Sequence, residues 1–222
     1  MKYRHEWKHE INFADLLTLR MRLSAVMRRD EHAVGGVYRI RSLYFDNLSD
    51  KALREKIDGV NIREKSRIRY YDGDTSYIVL EKKSKINGLC AKESCRISEE
   101  EAQKLVSGDC GWLLKNRRPL CQELYSKMQS QGLKPKTIVD YTREPFVFDP
   151  GNVRVTIDYD IRTGKPEDFL VPNGITIPTE DNVMLLEVKW DDYLPAVIRS
   201  AVSLKGRSQG AFSKYAACRI YY

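Results

Sequence analysis

Seven cations, Lys51, Arg54, Lys56, Arg63, Lys65, Arg67 and Arg69, crowd one short stretch in which only Glu55, Asp58 and Glu64 oppose them. Arginine offers a planar fork of donors suited to bidentate contact with phosphate oxygens. Cations at this spacing repel one another unless an anion lies between them. The chemistry they suggest is the holding of a phosphorylated anion. A solvated strand face and an RNA-binding surface are the alternatives. RNA readers stack bases on exposed aromatics, whereas Tyr70 and Tyr71 stand at the end of this segment, which ranks RNA lower.

Other motifs carry less. Gly206-Arg207-Ser208-Gln209-Gly210 matches the G-x-S-x-G hydrolase pattern, but that chemistry needs a histidine after the serine, and no histidine follows His32. There is no Walker A sequence, and Gly35-Gly36 reads only as a turn. Five cysteines, an odd number without C-x-x-C spacing, argue against a disulfide framework and a zinc site and read as free thiols. His5 and His9 share one strand face, where a structural role outweighs metal ligation.

These residues need elements to position them. At 222 residues, with 42% hydrophobic and 31% charged, the chain suits one folded domain spanning 1–222 with a single good core. A net charge of +7 points to an anionic partner without choosing among phosphates, nucleic acid and acidic membranes. No apolar run approaches the roughly 20 residues that span a bilayer. The start, with Lys2, Arg4 and Glu6, is unlike a signal peptide, and a cytoplasmic protein is expected.

Strict alternation opens the chain, with Tyr3, His5, Trp7 and His9 on one face and Lys2, Arg4, Glu6, Lys8 and Glu10 on the other. Asn12 with Asp15 predicts an N-cap for a helix from Phe13 to Arg28. Strands are expected at Val37 to Phe45, Ile62 to Tyr71, Tyr77 to Lys83 and Cys90 to Ile97, with hairpin turns at Asp72-Gly73 and Asn87-Gly88. Ser98 and Glu101 predict a capping box, and a further helix runs from Leu120 to Gln131. Strands at Thr137 to Arg143, Val153 to Ile161 and Val183 to Trp190 follow, then a short helix from Pro195 and a helical stretch after Phe212.

About eight strands are enough to close a small antiparallel β-barrel. Arg154, Thr156, Asp158 and Asp160 alternate against Val153, Val155, Ile157 and Ile161, and Glu187 and Lys189 alternate against Leu186, Val188 and Trp190. If helices cover the apolar faces, the charged faces line a wet interior. The fold class expected is α+β, dominated by a barrel that forms a charged tunnel with flanking helices.

Nearly the whole chain, in order, resembles the VTC domain of polyphosphate polymerases, within the wider CYTH-like triphosphate tunnel group. The matching pieces are Arg4-x-Glu6-x-Lys8, Ser42-Leu43-Tyr44-Phe45-Asp46, Arg67-x-Arg69-Tyr70-Tyr71, Leu80-Glu81-x-Lys83 with Lys92, Tyr141-x-Arg143-Glu144, Arg154-Val155-Thr156-x-Asp158, Leu186-Glu187-Val188-Lys189 and Phe212-Ser213-Lys214-Tyr215. By this resemblance Lys8, Lys56, Arg67, Arg69, Lys83, Lys92, Arg143, Ser213 and Lys214 bind phosphate, and Lys8, Arg67, Arg69, Lys83 and Lys214 belong to the catalytic set. Glu187 is implied as the metal ligand, with Glu6 and Glu81 as helpers, and the metal as Mg²⁺ or Mn²⁺.

The implied activity is transfer of the γ-phosphoryl of ATP or another triphosphate to inorganic polyphosphate, with no nucleic acid partner and with any membrane partner protein left open. Hydrolysis of a triphosphate and non-catalytic polyphosphate binding are the rivals. The hydrolase branch carries E-x-E-x-K on its first strand, and Arg4 replaces the first of those carboxylates, which favours the polymerase-like branch. Glu93, Ser94 and Cys95 stand after Lys92 where further basic residues are expected.

Overall fold

Asn12 ends the opening strand and starts the first helix. Its side chain accepts from the Asp15 amide at 2.9 Å, and the Asp15 carboxylate accepts from the Asn12 amide at 3.0 Å. In the computed structural model, which describes residues 3–179 and 183–220, these elements are β1 (His5–Ile11) and α1 (Phe13–Val26). Lys2, expected on the charged face of that strand, lies outside the described residues. There follow β2 (Arg28–Arg29), β3 (Tyr38–Asp46), α2 (Lys51–Ile57), β4 (Ile62–Tyr71), β5 (Asp74–Ile86) and β6 (Leu89–Ile97). The second half holds α3 (Glu99–Val106), α4 (Gly111–Leu114), α5 (Pro119–Gln131), β7 (Lys134–Phe148), β8 (Val153–Gly164), β9 (Ile177–Pro178), β10 (Met184–Trp190), α6 (Ala196–Val202) and α7 (Lys214–Arg219).

The strands form one antiparallel sheet of ten, in the order β1-β10-β8-β7-β3-β4-β5-β6, with β2 added to β7 and β9 to β8. The hairpin joining β5 to β6 turns through Asn87 and Gly88, both at positive φ (48° and 86°), the conformation that matches the twist of the flanking strands. The sheet curls until its two edges meet: Arg4 and Cys90 exchange backbone hydrogen bonds of 3.0 and 3.2 Å. Beyond that one bridge no ladder joins β1 to β6 among the described residues. In place of the expected eight-stranded closed barrel, the structure shows a ten-stranded sheet whose edges touch.

Helices decide which face of the sheet is dry. Leu16, Leu19 and Leu23 of α1 and Ile198, Ala201 and Val202 of α6 pack on Val153, Val155 and Ile157 of β8 and on Leu186, Val188 and Trp190 of β10. Leu105 of α3 and Leu120, Leu124 and Met128 of α5 cover Ile68, Ile78 and Leu80 of β4 and β5. Each such aliphatic side chain is worth about 1.5–3 kcal/mol when buried. Because side chains alternate along a strand, burying these residues on the convex side sends their charged neighbours to the concave side. A third cluster, in which Tyr215 and Cys218 of α7 pack with Tyr38, Tyr44, Tyr141 and Leu185, fills part of that concave side.

The alternation of β8 breaks where strict periodicity expected it to continue. The register of β7 on β8 shifts between Asp140 and Thr142, and Asp160 stands at φ 51°. A bulge of one residue exchanges the faces that follow. Asp158 is accordingly buried while Asp160 is exposed, and Ile161 and Thr163 turn inward. Asp160 therefore does not share the face of Asp158 as the sequence pattern implies.

Candidate functional site

Eight strands contribute to a cavity of about 600 Å³ on the concave side, whose lining includes fourteen Lys and Arg against four Glu. The lining residues Arg4 and Cys90 come from the two edges of the sheet, which touch there at one bridge.

The carboxylates are held between cations. Glu6 lies 3.1 Å from Lys8 Nζ and 3.3 Å from Lys189 Nζ. Glu187 receives Lys8 Nζ at 3.4 Å, Lys189 Nζ at 3.2 Å and Arg143 Nη2 at 3.3 Å. Burial alone would raise the Glu187 carboxyl, but Lys189, Lys8, Arg143 and Lys214 hold it well below the usual carboxylate range. Glu81 stands apart from this pair. It accepts from Arg67 Nε at 2.7 Å and Nη2 at 2.5 Å and from Lys92 Nζ at 3.2 Å, and these cations with Arg69 outweigh its burial and depress its pKa.

Arg143 forks onto Asp158 at 2.6 and 2.7 Å, and Lys214 Nζ reaches the same carboxylate at 2.6 Å, so α7 is tied to the floor of the cavity. Arg67 also donates to Tyr44 Oη at 2.7 Å. Among the described residues Arg69 has no carboxylate partner; it donates to Ser42 Oγ at 2.9 Å and Tyr141 Oη at 3.0 Å. Three cations, Arg143, Arg69 and Lys214, outweigh the burial of Tyr141 and lower its phenol pKa.

Other cations go without acidic partners. Lys83 sits directly across from Lys65 on β4 and from Lys92 on β6, which lines up three lysines, and the next pair on the same face is Arg63 with Lys85. Like charges directly opposite one another destabilise a sheet. Among the described residues no carboxylate lies within ion-pair distance of Lys56, Lys65 or Lys83, whereas Lys92 reaches Glu81. Arg67 and then burial push the Lys83 amine well below the ordinary lysine value. Burial, followed by Lys56, Lys8 and Arg63, lowers Lys65 to about 7. Lys65 Nζ makes its nearest polar contact with Ser213 Oγ, at 3.4 Å, and lies over the Tyr215 ring.

All the expected phosphate ligands, Lys8, Lys56, Arg67, Arg69, Lys83, Lys92, Arg143, Ser213 and Lys214, line this one cavity. So do Glu6, Glu81 and Glu187, although only Glu6 and Glu187 share cations. The residue set implied by the family resemblance omits Lys65, Lys189 and Asp158, although the strand-face reading places all three on charged faces, and the sequence reading omits the segment Gln209–Phe212 altogether. Lys65 and Lys189 each lie two residues from an expected site residue, so period two was the signal for both. Nothing local announces the Gln209–Phe212 segment. It is brought to the cavity by the Gly210 amide, which donates to the Lys8 carbonyl at 2.8 Å.

An antiparallel sheet curled around a cavity whose lining carries more Lys and Arg than Glu, with helices on its convex side, defines an α+β domain. The VTC domain family model matches residues 3–221, and the chain belongs to that family. A search of curated proteins finds no match. Among solved structures, the PH1819 protein of Pyrococcus horikoshii is similar at 14% identity and a TM-score of 0.44, over 90% of this chain and 84% of that one. A protein of Vibrio parahaemolyticus described as a "putative adenylate cyclase" is similar at 12% identity and TM-score 0.45, over 90% and 83% of the two chains. One of Bacillus halodurans with the same description shows 15% identity and TM-score 0.45, over 85% and 80%.

Proposed function

We propose that this VTC domain is a polyphosphate polymerase-like phosphotransferase, which moves the γ-phosphoryl of a nucleoside triphosphate to inorganic polyphosphate inside its basic cavity. The observation that carries this reading is the lysine row Lys65, Lys83 and Lys92 across three neighbouring strands, continued by Arg63 and Lys85. Such a row is costly in the empty protein and becomes favourable when a chain of phosphates lies along it. The meeting of the two sheet edges at Arg4 and Cys90 favours a tunnel over an open groove in this reading.

Phosphoryl transfer asks the protein for alignment and for neutralisation of the equatorial oxygens. Arg67, held by Glu81 and Tyr44, and Arg69, held by Ser42 and Tyr141, are oriented donors for such oxygens. Lys8, Lys56, Lys83, Lys92, Arg143, Ser213 and Lys214 complete the phosphate-binding set. Among the described residues no three His, Cys, Asp or Glu side chains form a metal cluster. Glu6 and Glu187, joined through Lys8 and Lys189, fit an ion that takes one or two carboxylates and otherwise water and phosphate oxygens. They are the residues that would hold Mg²⁺ or Mn²⁺, which supplies charge neutralisation at the phosphates. Glu81 serves in this reading to orient Arg67.

Incubation with ATP and Mn²⁺, followed by gel analysis for polymer and an orthophosphate assay, tests the proposal. Acid-labile polymer together with ADP is the expected result. Orthophosphate without polymer replaces transfer by hydrolysis, and polyphosphate binding that survives chelation without turnover reduces the domain to a binding module.

A further inference from the structure

One lysine of the cavity is set apart by its surroundings. Lys65 Nζ has Ser213 Oγ at 3.4 Å and the Tyr215 ring centroid at 4.8 Å, and among the described residues no carboxylate within ion-pair distance. The charged groups around it are Lys8 from β1, Lys56 from α2, Arg63 from its own strand and Lys83 directly opposite on β5, with Asp46 of β3 as the opposing charge. These cations disfavour the ammonium form and also attract phosphate to the same space. A lysine desolvated beside other cations is an activated nucleophile.

We propose that Lys65 is an acylation site for acyl phosphates, the mixed anhydrides of a carboxylic acid and phosphoric acid. The phosphate of the reagent is held by the cavity cations and the acyl carbon is delivered to Lys65 Nζ. The amine lone pair attacks the carbonyl carbon and the bond from that carbon to the bridging oxygen breaks. Inorganic phosphate leaves with the electron pair, and the surplus amine proton passes to solvent. The product is a neutral amide, and nothing is oxidised or reduced. Acylation removes the titratable amine that faces Lys83 and adds bulk beside Ser213. This proposal rests on the cavity being a phosphate site, but it requires no polymerase activity.

The Lys65 amine titrates near 7, where half of it is neutral at neutral pH, against well under about 0.1% for an exposed lysine of pKa about 10.4. This neutral fraction favours acyl transfer to Lys65 over exposed lysines.

The test uses the full chain, acetyl phosphate as the probe and acetic anhydride as an acylating reagent without a phosphate, with peptide mass spectrometry as the readout. With acetyl phosphate at pH 7.5, Lys65 should be labelled at least about tenfold faster than Lys115 and Lys165, and tripolyphosphate should protect it. With acetic anhydride the protection should remain but the preference over other lysines should shrink. Labelling of Lys65 no faster than of Lys115 overturns the proposal. An equal preference with both reagents overturns it as well, because the phosphate then directs nothing. Calorimetric titration of the unmodified chain with tripolyphosphate separates the two readings. Binding without labelling removes only the acylation site, and absence of binding removes the phosphate cavity on which both readings rest. Lys65→Arg, which keeps the charge and cannot form this amide, should abolish the labelled peptide.

Discussion

At the residue scale, Glu187 separates metal holding from plain charge balance. It touches Lys8, Lys189 and Arg143, so Glu187→Gln removes a charge while keeping the size of the side chain. If Glu187 holds the metal, turnover should fall by orders of magnitude while metal-free polyphosphate binding stays equal or tightens, since an anion has left the cavity. Both assays on one folded preparation decide the matter, and unchanged turnover removes Glu187 from the metal site. Lys65 adds a prediction about pH. Its amine titrates near 7 in the folded chain and near the ordinary value of about 10.4 when unfolded, so between these values the unfolded chain binds more protons. Lys65 thus weakens the anion-free fold at neutral pH, and that penalty fades as pH rises through this window. Urea denaturation at pH 7, 8 and 9 should show the parent gaining stability relative to Lys65→Met, and a constant difference between them would show that Lys65 is not held unpaired.

At the scale of elements, Asp46 ties three pieces together. Its carboxylate accepts from the amides of Ala52 at 2.9 Å and Leu53 at 3.1 Å, in the first turn of α2, and from Tyr215 Oη of α7 at 2.7 Å. The helices that carry Lys56 and Lys214 are therefore positioned by one buried side chain at the end of β3. Asp46→Ala should cost about 3 kcal/mol by chemical denaturation, as a lost cap plus an orphaned buried hydroxyl, and should weaken polyphosphate binding by loosening α7. Tyr215→Phe removes only one of these bonds and should cost about 1 kcal/mol. Equal losses for the two variants would mean that the helix cap contributes nothing. These placements were partly legible beforehand. The capping boxes at Asn12 and Ser98 and the bounds of β4 follow from local patterns, whereas the two-residue strands β2 and β9 carry no pattern of their own and exist because a neighbour offers an open edge.

At the scale of the whole molecule, if polyphosphate lies along the cavity cations as proposed, several cations act on one anionic chain and its binding is salt-dependent. Affinity should fall steeply and linearly on a logarithmic salt axis, and Arg69→Gln should weaken binding and make that slope shallower, as read by titration at several salt concentrations. Arg69 suits this test because its partners are neutral, while removing Arg67 would leave the buried Glu81 with only Lys92 in ion-pair contact. A slope unchanged in Arg69→Gln would place this side chain away from the ligand. The sequence by itself determined which residues share a strand face, because side-chain alternation is a local property of extended backbone. From that alone came the rows Arg63, Lys65, Arg67 and Arg69, and Glu187 with Lys189. Only the tertiary structure decided that these faces look inward, since that depends on where α1, α3, α5 and α6 lay their apolar sides. It alone decided that Asp160 leaves the row, because a bulge needs a partner strand to slip against. And it alone decided which cations are neutralised: Glu81 lies opposite Arg67, whereas Lys83 lies opposite Lys65 and Lys92, because strand register sets which charges meet and no single strand encodes its neighbour's register.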